Sequence, residues 1–158
     1  MAKSTFVYVT YIRTTPEKLW SELIDVECMK QYWFGVHCES QWTAGSSWKM
    51  VYPDGRNTDA GEIVEAEPPR RLVIRWQHQN NSELKAEGES HCTMELEPSG
   101  PAVRLSITHT IEREPSNFIV AVSGAWPKVI SNLKSLLETS SAVLQDTYPI
   151  ESANSGKE

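Results

Sequence analysis

Alternating apolar and polar positions dominate the chain as far as Glu112, and a 3.6-residue period takes over after Pro115. Thr5 to Ile12 is rich in β-branched and aromatic residues and predicts a first strand. Thr15, Pro16 and Glu17 then signal a helix start. Thr15 can cap, Pro16 suits the first helical position, and Glu17 favours the positive end of the helix. Leu19, Trp20, Leu23 and Ile24 form its apolar face, and a second short helix is predicted over about Val26 to Tyr32.

Six further strands are predicted, over residues 36–41, 47–52, 60–67, 71–77, 90–97 and 102–112. Turn signals separate them: Thr43 to Ser46, Pro53-Asp54-Gly55, Pro68-Pro69, the polar loop Gln79 to Glu83, and Pro98 to Pro101. Trp48, Met50 and Tyr52 share one face, as do Leu72, Ile74 and Trp76. In the last strand Val103, Leu105, Ile107, His109 and Ile111 alternate with Arg104, Ser106, Thr108 and Thr110. Such alternation marks a sheet covered on one side and wet on the other. Over residues 60–67 two sets compete, Gly61, Ile63 and Glu65 against Glu62, Val64 and Ala66, and the pattern does not choose an inner face.

After Pro115, apolar residues at 126, 129, 130, 133, 136 and 137 mark one face of a helix. Phe118 to Val122 either opens this helix or precedes it, because Gly124 and Pro127 can break or kink it. The order is strand, two short helices, six strands, one long helix. It predicts an α+β domain: a curved antiparallel sheet of about seven strands around a long C-terminal helix, the helix-grip arrangement. One domain is expected over residues 1–150, with tail composition over 151–158.

A late apolar helix laid on such a sheet can close over a cavity. The predicted lining is Trp48, Met50, Tyr52, Trp76 and Met94 from the middle strands, Leu105, Ile107 and His109 from the last, and Phe118, Val122, Trp126 and Ile130 from the helix. Ordinary core packing accounts for each of these equally well on its own. His109 is the polar member, expected as an anchor facing an apolar space. A ligand-sized interior needs roughly 300 Å³. Segments 53–59, 78–88 and 115–125 would frame the entrance.

Composition narrows the field. The net charge is −6 and the densest basic stretch is Arg70-Arg71, which argues against nucleic acid and against anionic membranes. Cys28, Cys38 and Cys92 are odd in number and contain no C-x-x-C, so a reducing compartment is expected. With no apolar leader at the N-terminus and no apolar run of about 18 residues, the expected location is cytoplasmic. His37, Cys38, His78, His91 and Cys92 never adopt metal-ligand spacing. No Gly-x-Ser-x-Gly and no Gly-rich phosphate loop occurs. Asp54 and Asp59 read as turn residues. No catalytic residue, cofactor or metal is predicted.

Four segments resemble one family in order: Thr14 to Leu23, Gln31-Tyr32-Trp33-Phe34, Gly61 to Val73, and Trp126-Pro127 with Ser131-Asn132-Leu133-Lys134. Together they resemble the bacterial proteins related to the C-terminal domain of the activator of the ninety-kilodalton heat-shock-protein ATPase. That family lies in the START and birch-pollen-allergen-like (SRPBCC) superfamily. The resemblance spans about residues 5 to 140. It implies a helix-grip fold with a cavity between sheet and helix, and no shared catalytic motif. The naming activator carries a separate N-terminal domain for its main chaperone contact. Only a few residues precede the first strand here, so chaperone stimulation is not expected.

Three functions follow as expectations. The leading one is a binding module for an apolar or amphipathic small molecule. The second is a cyclase- or hydrolase-type enzyme using an inward His109 or Glu62. The third is an interaction protein, a chaperone accessory or a homodimer, supported if Trp33, Phe34 and Trp42 form an exposed patch.

Overall fold

A computed structural model describes residues 2–144, so the tail expected over 151–158 lies outside the described residues. The chain runs β1 (Ser4–Ile12), α1 (Pro16–Ile24), α2 (Val26–Tyr32), β2 (His37–Ser40), β3 (Ser47–Val51), β4 (Asn57–Glu67) and β5 (Arg71–His78). It continues through α3 (Ser82–Ala86), β6 (Ser90–Ser99), β7 (Ala102–Ile111) and α4 (Asn117–Thr139). The seven strands form one antiparallel sheet in the order β1-β7-β6-β5-β4-β3-β2. With the long α4 packed on one face, this is the α+β helix-grip arrangement.

Local signals act where the sequence places them. Thr15 accepts a hydrogen bond from Lys18 N and caps α1, with Pro16 in the first turn. Asp25 caps α2 through Cys28 N. Ser116 caps α4 through Ile119 N. The helix then runs unbroken past Gly124 and Pro127. Pro127 removes one helical hydrogen bond, but the turns around it bury Val122, Trp126, Val129, Ile130 and Leu133. Tertiary packing outweighs the lost bond.

Three expectations need correction. The stretch read as a loop carries α3, capped by Asn81 Oδ1 on the N–H groups of Glu83 and Leu84. Its single turn is too short to show a period. Strand β4 begins at Asn57 rather than residue 60, and β5 extends to His78. Asp59 is therefore a buried strand residue and not part of a turn.

The ambiguity over residues 60–67 has a physical cause. The register shifts between Ile63 and Glu65, leaving Val64 as an extra residue. Gly61 and Ile63 belong to the inner set before the bulge, and Ala66 packs against the core after it. Glu62 lies on the other face, partly exposed and ion-paired with Arg75, which also approaches Glu89 at 3.6 Å.

Candidate functional site: an aromatic cleft under the terminal helix

The inner face of the sheet is a wall of indoles centred on Trp76. Its ring lies 4.6 Å from Trp48, 4.8 Å from His109, 5.9 Å from Trp126 and 6.4 Å from Phe118, centroid to centroid. Gly61 makes this possible. It sits between Trp48 and Trp76 in the ladder, and a Cβ there would fall 1.6 Å from the Arg75 carbonyl oxygen. With no side chain between them, the two indoles meet across three strands.

His109 lies behind this wall with 0% exposure. Trp126 Nε1 donates to its Nδ1 at 3.2 Å, so the ring proton sits on Nε2. Nε2–H then donates to Ser90 Oγ at 2.9 Å, and Ser90 Oγ donates to the Trp76 carbonyl at 2.9 Å. Both ring nitrogens are used within the protein. Burial pulls the imidazole down to about 3, overriding the nearby Asp59 carboxylate. This is a neutral structural histidine with no free atom for a ligand.

Between the sheet, α3 and α4 a partly open cleft of about 70 Å³ remains. Met50, Tyr52, Trp76, Phe118, Val122 and Trp126 line it. Trp48, Met94 and Ile130 line a smaller inner void of about 20 Å³ instead. Leu105, Ile107 and His109 line neither. The interior is thus largely filled, well short of 300 Å³, because the aromatic rings occupy most of the gap. Leu84 of α3 and Ala121 and Ala125 of α4 complete the rim.

Two polar residues at this cleft carry no site role in the sequence pattern. Asp59 and His78 are direct partners across β4 and β5. Asp59 is 5% exposed. Its Oδ2 accepts from Trp76 Nε1 at 2.7 Å and lies 3.3 Å from His78 Nδ1. The expected strands, 60–67 and 71–77, each stop one residue short of them. Extending each alternation by one position would have placed them inward, in series with Gly61 and Ile63 and with Ile74 and Trp76.

Glu87, at the C-cap of α3, closes the rim. Its carboxylate accepts from Ser116 Oγ at 2.6 Å, Asn117 N at 2.9 Å and Phe118 N at 3.3 Å. Partial burial works to raise its pKa, but these hydrogen bonds prevail and hold it below the usual range. The patch envisaged for a partner does not form: Trp33 is buried, and Phe34 and Trp42 are half-buried against the core. Among the described residues no group of three or more His, Cys, Asp or Glu could hold a metal ion, and no helix is long and apolar enough to cross a membrane. Cys28, Cys38 and Cys92 are free thiols.

The family model described as Activator of Hsp90 ATPase homolog 1-like protein matches residues 13–138. The chain belongs to this family. Solved structures with the same fold include protein MLL2253 from Mesorhizobium loti, 21% identical, with a TM-score of 0.72 over 85% of this chain and 97% of that one. The Aha1 dimer from Colwellia psychrerythraea is 20% identical, with a TM-score of 0.68 over 86% and 97%. DynU16, a putative protein in the dynemicin biosynthetic locus, is 20% identical, with a TM-score of 0.70 over 87% of this chain and 48% of that one. At these identities the likeness establishes the fold alone. No curated protein matches the chain.

Proposed function

We propose that this family member binds a small, largely aromatic molecule in the cleft between the sheet, α3 and α4. One observation carries the reading: a partly open apolar cleft, walled by Trp33, Trp76, Phe118 and Trp126, remains under a helix that otherwise packs tightly. The cleft is smaller than a drug-sized site. The ligand is therefore about one ring across, with further atoms extending into the opening. Affinity would come from apolar burial, at about 25 cal/mol per Å² before association costs. The occurrence of a structural neighbour in a biosynthetic locus is compatible with a small organic ligand.

Native mass spectrometry of freshly purified protein, followed by calorimetric titration with single-ring aromatics, tests this. Ala121→Phe, which fills the rim from the half-buried side of α4, should abolish binding while leaving the circular dichroism spectrum unchanged. Equal binding to wild type and Ala121→Phe, or no binding to wild type, would overturn the proposal.

A further inference from the structure

We infer that the cleft selects ligands bearing a phenolic or comparably acidic hydroxyl, which shares its proton with Nε2 of His78. The inference rests on the ligand-binding reading above and names the chemistry of its polar end.

Asp59 is the starting point. A carboxylate embedded in a tryptophan wall is costly unless its lone pairs are used. Among the described residues no Lys or Arg pairs with it; its ion-pair partner is His78. Its Oδ2 is instead held by the Trp76 indole N–H. That bond fixes the carboxylate, and the carboxylate orients His78. With Nδ1–H directed at Asp59, the ring's lone pair lies on Nε2. His78 lines the cleft, and its Nε2 makes no hydrogen bond among the described residues. The contrast with His109 is direct, since both nitrogens of that ring are occupied within the core.

A second observation concerns another residue of the cleft wall. Trp33 lines the cleft, is 6% exposed, and its Nε1 has no hydrogen-bond partner among the described residues. A buried, unpartnered N–H is costly, and a ligand acceptor would relieve it. The cleft therefore carries an acceptor at His78, and its Trp33 wall, shared with the inner void, holds an N–H without a partner. A single aromatic ring carrying a hydroxyl and a separate acceptor substituent matches both. No bond is made or broken; one proton lies between the hydroxyl oxygen and Nε2.

Para-cyanophenol has both groups, and its methyl ether keeps the nitrile but loses the hydroxyl proton. Titration calorimetry of both probes against wild type, His78→Phe and Asp59→Asn tests the inference. Wild type should bind the phenol roughly tenfold more tightly than the ether, the scale of one hydrogen bond. His78→Phe should bind both probes equally, at the affinity of the ether. Asp59→Asn must set its amide oxygen on the Oδ2 site, where the Trp76 indole N–H donates, so Nδ1–H keeps its acceptor, the lone pair stays on Nε2 and the preference should persist. Loss of the preference in Asp59→Asn would count against the inference. Equal affinities in wild type, or a preference that survives in His78→Phe, overturn hydroxyl selection while leaving cleft binding intact. Failure of both probes to bind wild type overturns both readings. If His78→Phe does not fold, His78→Met is measured in its place, with the same outcomes required.

Discussion

Gly61 is the residue on which the aromatic wall depends. Its missing Cβ leaves room for the Arg75 carbonyl, and the rigid backbone there cannot withdraw. Gly61→Ala should lower the unfolding free energy by at least about 2 kcal/mol, measured by urea denaturation. His109 makes a second prediction. The folded protein holds its ring neutral down to about pH 3, whereas the unfolded chain takes up a proton near its ordinary value of 6.5. Its contribution is full above 6.5 and is lost as the pH falls toward 3. At pH 5 this removes about 2 kcal/mol relative to pH 7. His109→Leu should abolish that component of the slope. At pH 7 it should also cost roughly 2 kcal/mol, because Trp126 Nε1 loses its acceptor. Matched denaturation curves at the two pH values check both statements.

At the scale of elements, α4 and α3 are joined by Glu87. Its carboxylate satisfies two N–H groups in the first turn of α4 and sits at the positive end of that helix. Glu87→Ala should cost roughly 1–2 kcal/mol and accelerate amide exchange over residues 82–89, read by mass spectrometry. Because the folded carboxyl is held below its usual value, its contribution is present above about pH 4.5 and fades as the pH falls. Gly124 works in the opposite direction. It is exposed in mid-helix, and a Cβ there meets nothing within 4 Å. Gly124→Ala should stabilise the protein by about 0.5–1 kcal/mol, visible as a raised melting temperature. The elements themselves were legible: the Thr15 and Pro16 start of α1, the α2 span and the β7 alternation all stand where the pattern puts them. What was not legible was short or terminal, namely the single turn of α3 and the first residues of β4. Periodicity needs several residues to register, and element ends carry the fewest.

At the scale of the whole molecule, the sheet and α4 enclose a core packed with aromatic rings and leave a partly open cleft beside α3. A ligand of that cleft binds the folded state alone. At a hundredfold excess over its Kd, para-cyanophenol should add about 2.7 kcal/mol of stability, measured as a rise of several degrees in the melting temperature. Ala121→Phe should show no such rise.

The sequence by itself determined the elements other than α3, their order and, outside residues 60–67, the side of the sheet that is buried, because these follow from periods of two and 3.6 within single segments. It therefore named Met50, Tyr52, Trp76, Phe118, Val122 and Trp126, which do surround the cleft. Only the tertiary structure decided how full that interior is, and which polar groups meet there. Packing density depends on how rings from several elements interlock, and no one segment carries that information. The Asp59–His78 pair depends on the β4–β5 register, which joins residues 19 positions apart in the chain. His109 had the stronger local signal, yet its surroundings consumed both ring nitrogens. His78 stood at a strand end, and the fold gave it the cleft.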